Sequence, residues 1–152
     1  MKHFLLLLCL AVTAGLPAAA QQLTNGSADN IVGNYIGRQN GDCFKVRVTR
    51  LADGTYRAQV YWVERDCDES GRKILDSKNP DKSLRQTPCD QIVLFNGLKY
   101  NAKDKCWDGT KIYDPQRGIR ANMRADFTPK GNLRIRGSLL GISETIYWQR
   151  IP

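Results

Sequence analysis

The stretch Arg120–Gly137, "RANMRADFTPKGNLRIRG", decides the fold. Ala121, Met123, Ala125 and Phe127 alternate with Arg120, Asn122, Arg124 and Asp126. After a turn at Pro129-Lys130-Gly131-Asn132, Leu133 and Ile135 alternate with Arg134 and Arg136. Successive side chains of a strand point to opposite faces, so a period of two marks a strand with one buried and one wet face. Gly131 supplies the positive φ that a tight hairpin needs. The stretch is therefore a β-hairpin with an apolar face and an arginine-rich one.

The pattern continues on both sides. Phe44, Val46 and Val48 alternate with Lys45, Arg47 and Thr49. Tyr56, Ala58, Val60 and Trp62 alternate with Arg57, Gln59 and Tyr61, and Ile146 and Trp148 with Tyr147 and Gln149. "QNGD" (39–42) and "ADGT" (52–55) mark two further hairpin turns. With Ile31–Gly37, Ile92–Leu98 and Trp107–Tyr113 the chain offers about eight strands, although 92–98 fits a short helix as well. No segment sustains a helical period. The expected fold is all-β: an antiparallel up-and-down barrel, because closure removes the exposed edges that consecutive hairpins leave. Lys45, Arg47, Arg57, Arg120, Arg124, Arg134 and Arg136 then cover the outside. An outer-membrane barrel would put charge in its lumen instead, so the barrel is expected not to be membrane-embedded.

The first residues have a different character. Met1-Lys2-His3, the apolar "FLLLLCLAVTAGL" and the small-residue site Ala18-x-Ala20 describe a secretory signal peptide over 1–20, cleaved after Ala20. Residues 21–30, "QQLTNGSADN", are expected to be a polar linker, and 31–152 a single barrel domain. The chain is exported on this reading, to the periplasm or beyond. Its net charge of +8 falls by one with Lys2.

Losing Cys9 leaves Cys43, Cys67, Cys89 and Cys106. An even count in an exported domain implies two disulfides, whose connectivity sequence does not fix. Cys67–Cys89 is preferred because it closes the base of a long polar excursion containing "DSKNPDKSLRQTPCD" (76–90), which leaves Cys43–Cys106.

Four pieces together resemble an uncharacterised family of exported bacterial proteins (domain of unknown function 2147). They are Ile31-Val32-Gly33-Asn34-Tyr35; Asp76-x-x-Asn79-Pro80 with Leu84-Arg85; Ile112-Tyr113-Asp114-Pro115 with Gly118; and Arg136-Gly137 through Gly141 to Trp148. The family commonly has Trp at Tyr35 and Gly at Thr110. The resemblance implies a barrel similar to lipocalins and brings no reaction with it. Gly33-x-Tyr35 with Trp148-x-Arg150 also resembles the way lipocalin-like barrels close, with a ring on the first strand under a basic residue from the last. A guanidinium over a ring is a cation–π contact.

The chemistry available is limited. His3 leaves with the signal peptide, so the mature chain has no histidine. Ser–His–Asp and Cys–His arrangements are excluded, as is the commonest transition-metal ligand. A two-carboxylate hydrolase would have to use aspartates such as Asp76, Asp108 and Asp114. Asp66, Asp68, Ser70 and Gly71 fit the start of a calcium loop, but Ser77 stands where the bidentate Glu belongs. No catalytic residue, metal or cofactor is assigned, and nucleic acid is not an expected partner.

The chain is thus expected to be a monomeric, non-enzymatic barrel holding a small apolar or amphipathic ligand. The candidate site residues are Asp76, Asn79 and Asp114 on loops or turns, Tyr113 at the end of its strand, and Trp62 and Met123 on the inner face. Inward Ala58, Ala121 and Ala125 fit either a hollow barrel or a narrow, solidly packed one. The alternative is an envelope protein whose basic exterior, including Arg134 and Arg136, holds acidic glycans or lipopolysaccharide.

Overall fold

The computed structural model describes residues 23–152; the signal-peptide expectation lies outside them. The strands are β1 (Gly33–Gln39), β2 (Asp42–Arg50), β3 (Tyr56–Val63), β4 (Val93–Asn101), β5 (Cys106–Asp108), β6 (Lys111–Asp114), β7 (Ile119–Phe127), β8 (Leu133–Leu139) and β9 (Ile142–Ile151). Neighbours pair antiparallel in the order β5-β4-β3-β2-β1-β9-β8-β7-β6, and β5 also pairs with β7, which closes the barrel. The expected strand Trp107–Tyr113 is broken at Gly109-Thr110. β5 and β6 share one position between β4 and β7, so the nine strands close as an eight-position barrel. Segment 92–98 falls in a strand, β4.

The alternation in Arg120–Gly137 forms the hairpin β7–β8, with Ala125 opposite Ile135 and Phe127 opposite Leu133. In β3 the alternation breaks. Val46 pairs with Val60, but Lys45 pairs with Trp62, so two residues of β3 face one of β2. This bulge reverses the phase. Val63 turns inward, and Trp62 turns out to lie under Lys45, whose Nζ is 4.9 Å from the ring centroid. Trp62 is therefore an outer-face residue, 39% exposed, and not a cavity residue.

Residues 24–31 are not a linker. Asn25 pairs with Phe127 through both side-chain atoms: its Nδ2 donates to Phe127 O at 3.1 Å, and its Oδ1 accepts from Phe127 N at 2.6 Å. Tyr100 Oη donates to Asn25 O, and Trp107 Nε1 to Ala28 O at 3.0 Å. A one-turn 3₁₀ helix, Ala28–Ile31, buries Ile31 and presents Asp29 to Tyr56 Oη and Arg50. This segment is the floor of the barrel. Its polar composition reflects its job of meeting strand ends whose backbone groups need partners.

Gly33, Tyr35 and Arg150 lie together. Arg150 Cζ sits 5.6 Å from the centroid of the Tyr35 ring. Its guanidinium donates to Asn30 O at 3.1 Å and to Val32 O. Burial pushes the Tyr35 hydroxyl up to about 12, against the opposing pull of Arg150, and it donates to Ile31 O at 2.8 Å. Gly33 has φ 152°, and a Cβ there would lie 2.8 Å from Arg150 Cζ.

The cysteines do not follow the expected pattern: Cys43, Cys67, Cys89 and Cys106 are all free. Cys43 lies near the start of β2 beside Val63 and Glu64, whereas Cys106 pairs with Asn101 at the opposite end. Those ends are separated by the length of the nine-residue β2, roughly 27 Å, and a disulfide needs Cα atoms within about 7 Å. Cys89 Sγ contacts Asp66 O at 3.8 Å rather than Cys67. The base of the excursion is tied instead by backbone pairs Cys67–Lys73 and Leu75–Pro88, and by Lys73 Nζ between Asp66 (2.6 Å) and Asp90 (2.7 Å). Asp68 accepts from Ser70 N, Arg72 N and Arg72 Nε. The carboxylates of the calcium-like stretch are thus engaged locally.

Arg150→Ala removes two charge-assisted hydrogen bonds and a cation–π contact. It is expected to cost about 3 kcal/mol and lower Tm by roughly 10 °C. Arg124→Ala, an exposed arginine 3.9 Å from Asp104, should stay within about 0.5 kcal/mol. Thermal melts followed by circular dichroism decide it; equal melts for the two variants would remove the closure role.

Candidate functional site

One layer of aromatic rings divides the barrel. Trp148 lies across the interior and stacks with Phe95 at 6.4 Å, meets Phe44 edge-on at 6.2 Å, and leans on Tyr35 at 6.3 Å. Gly37 makes room for it, since a Cβ there would sit 2.8 Å from Trp148 Cδ1 and 2.6 Å from Phe44 Cζ. Below this layer the interior is filled. Trp107 meets Phe127 at 5.6 Å and Tyr100 at 5.2 Å, and is packed opposite Ala125. Ala125 and Ala58 are buried there. Small side chains in this half make space for Trp107.

Above the layer the barrel is hollow. A cavity of about 960 Å³ opens at the end where β1–β2, β6–β7 and β8–β9 turn. Its apolar wall includes Phe44, Val60, Val63, Ile92, Leu94, Ile112, Ala121, Ile135, Ile146 and Trp148. Gly137 faces it too, with only Ala121 Cβ and Ile112 Cγ2 within 4 Å of a built Cβ, at 3.5 and 3.8 Å. The alternatives of hollow and solid are both realised, in different halves.

The wall is incomplete on one side. β1 and β9 pair only at Asn34–Ile151, Tyr35–Arg150 and Ile36–Gln149. Above that point β9 pairs with β8 alone, from Leu133–Trp148 up to Leu139–Ile142. Ile142, Ile146 and Trp148 face the cavity across this open seam, and Ile142 is 70% exposed.

Side chains span the top of the seam where the backbone does not. Gln39 Nε2, at the end of β1, donates to Asp114 Oδ1 at 3.1 Å. Arg117 Nε donates to Asp114 Oδ2 at 2.6 Å, and its two terminal nitrogens grip both oxygens of Glu144 on β9. The turn carrying Asp114–Arg117 is also joined to Asn40 through Gln116, and to Lys78 Nζ, which donates to Gln116 O at 2.7 Å. Burial pushes the Asp114 carboxyl up, but Arg117, Gln39 and the Arg117 N–H hold it below its ordinary value. Arg117 likewise holds the Glu144 carboxyl low.

A second polar group sits deeper. Asp76 and Asn79 are buried, and Asp76 lines both the cavity and a smaller pocket of about 340 Å³. Tyr113 Oη donates to Asp76 Oδ1 at 2.6 Å, and Asn79 Nδ2 to Asp76 Oδ2 at 2.6 Å. Burial, and next the bond to Asp76, push the Tyr113 hydroxyl well above its ordinary value. Arg120 covers the Tyr113 ring at 4.8 Å, and Arg85 Nε donates to Asn79 O at 2.8 Å. Gly118 lies against Lys78 O, where a Cβ would clash.

The structure thus gathers Asp76, Tyr113 and Asp114 at the cavity and places Asn79 behind Asp76 in the smaller pocket. Met123 is not at the cavity. It is buried in the core beside the break between β5 and β6, its N–H donating to Thr110 O. Gln39, Arg117 and Glu144 are site residues the sequence reading misses. Their one local signal is an arginine three residues after Asp114 in a Pro-Gly turn.

The chain matches the family of uncharacterized proteins conserved in bacteria (DUF2147) over residues 33–150. It belongs to that family. Comparison with curated protein sequences gives no match. Among solved structures, HP1028 from the human pathogen Helicobacter pylori, described as belonging to the lipocalin family, is similar. It has 22% sequence identity and a TM-score of 0.61, over 80% of this chain and 82% of that one. The shared feature is the fold: an antiparallel, lipocalin-like closed barrel. Among the described residues no helix is long and apolar enough to cross a membrane.

The clasp has a definite pH dependence. Both Asp114 and Glu144 are held low in the folded chain, so their contribution is present above the ordinary carboxylate range, about pH 4. It is lost as pH falls through their folded values. Arg117→Gln should lower Tm at pH 7 and make the amides of β9 above Trp148 exchange faster. The Tm gap to the wild type should narrow as pH falls below the ordinary carboxylate range, about pH 4. A pH-independent gap would show that the clasp carries no linked charge.

Proposed function

We propose that this protein is an exported, non-enzymatic binding protein that holds a small apolar or amphipathic molecule in the upper half of its barrel. The observation that carries this is the half-filled interior. A chain able to fill the lower half with Trp107, Phe127 and Leu133 leaves about 960 Å³ empty above Trp148. Ligand sites typically run from about 300 to 1,000 Å³ with mostly apolar walls and a few fixed polar groups. The upper half has that composition, with Asp76–Tyr113 deep and Asp114–Arg117–Glu144 at the rim.

The family likeness supports the fold of such a carrier, and the similar barrel described as a lipocalin supports the same architecture. Export rests on the N-terminal "FLLLLCLAVTAGLPAAA" and predicts a mature chain beginning at Gln21. The envelope-polymer alternative loses ground. Arg134 pairs with Asp126 through bonds of 2.7 and 2.6 Å, and Arg136 shares the same carboxylate at 3.8 Å. One carboxylate thus offsets part of the charge these two arginines could offer an acidic polymer.

The test is native mass spectrometry of protein purified without detergent, with an organic extract of the same sample. A bound apolar molecule is expected, and an environment-sensitive apolar dye should compete with it. Ala121→Trp, which fills the cavity beside Ile112 and Gly137, should weaken dye binding at least about tenfold with the fold intact, because burial of only a few methylenes is worth that much. A clean unliganded mass with no dye binding would defeat the proposal.

A further inference from the structure

We propose that the ligand's polar end is a primary ammonium group, held at Asp76. This deepens the cavity reading above and rests on it. Asp76 and Asn79 are the buried polar side chains among the described residues, at 3% and 2% exposure. The donors on Asp76 are both neutral: Tyr113 Oη on one oxygen and Asn79 Nδ2 on the other, each at 2.6 Å. Each carboxylate oxygen has two acceptor sites, so one on each oxygen stays free.

The other acids at the cavity differ. Asp42 has Arg65 at 2.7 Å, and Asp114 and Glu144 share Arg117 at 2.6 and 2.5 Å. Among the described residues no cation lies within ion-pairing distance of Asp76. A buried carboxyl with neutral donors alone is a costly arrangement, and a hydrogen-bonding cation is the partner that completes it. An ammonium group offers three donors and no acceptor, matching two open acceptor sites. The apolar wall of Ile92, Leu94 and Ile112 beside it suits an alkyl tail.

The rest of the chain works against this preference, which makes it diagnostic. The net charge, +8 for the whole sequence and one less without Lys2, attracts carboxylates and repels amines at the surface. An amine selected over a carboxylate must therefore be selected inside.

The experiment is calorimetric titration of the full chain at neutral pH with dodecylamine, dodecanol and dodecanoate, each below its aggregation concentration. The amine should bind about tenfold tighter than the alcohol, the difference between a charge-assisted and a neutral hydrogen bond, with dodecanoate weakest. Asp76→Asn should erase the difference between amine and alcohol while leaving alcohol binding unchanged. Equal binding of amine and alcohol, a preference for dodecanoate, or an amine preference that survives in Asp76→Asn overturns the proposal. Should Asp76→Asn not fold, the wild-type ranking decides alone. Binding of none of the three overturns the cavity reading itself, whereas binding without an amine preference overturns only this refinement.

Discussion

Trp148 lying over Gly37 is the contact on which the rest of the structure depends. A side chain at position 37 would occupy the space of the indole and of Phe44. With only hydrogen there, the indole crosses the interior and reaches Phe95 on the far wall. Aromatic side chains bury large areas and prefer stacked or edge-on neighbours, and Trp148 has both kinds. The ring layer seals the solid half from the hollow half. Two residues further along β9, Arg150 holds Tyr35 and the carbonyls of Asn30 and Val32, so the same strand end locks the N-terminal floor in place.

The hollow half follows from what the layer leaves out. Above it many inner positions are small or medium, Ala121, Gly137, Ile112 and Ile146 among them, and the rings of Phe44 and Tyr113 line the cavity wall without filling it. The backbone ladder between β1 and β9 stops at Ile36–Gln149, just at the layer. From there to the rim the two strands are linked through side chains: Gln39, Asp114, Arg117 and Glu144. Such a link is easier to open than a β-ladder, since exposed ion pairs contribute little and are screened by salt. The cavity therefore has a firm floor, a firm wall on the β7–β8 side, and a seam closed by charge.

Much of this was legible in the sequence, and the failures have specific causes. The period of two in Arg120–Gly137 marks β7 and β8 because both strands have one wet face and no irregularity. Gly33, Tyr35, Trp148 and Arg150 were legible through the likeness to a known mode of closure. Asp76 and Asp114 were legible as polar residues beside Pro-containing turns, and Tyr113 as the strand residue leading into one of them. Trp62 was not, because one extra residue in β3 reverses every later side chain, and a bulge has no fixed sequence mark. Residues 24–31 look like a linker because the groups they satisfy are backbone ends, which polar side chains serve best. An even number of cysteines carries no distance, and Cys43 and Cys106 lie at opposite ends. Gly109-Thr110 interrupts an apolar run that alternation alone treats as continuous. The clasp was hidden because Arg117 and Glu144 lie far apart in sequence and meet only across the mouth.

The central claim is that the barrel is empty above Trp148 and full below it. A crystal structure of the protein soaked with a brominated alkane tests this directly, through the anomalous signal of bromine. A bromine peak is expected between Ala121, Ile146 and Trp148, with none near Trp107. A peak confined to the outer surface, or one among Trp107, Phe127 and Tyr56, would contradict it.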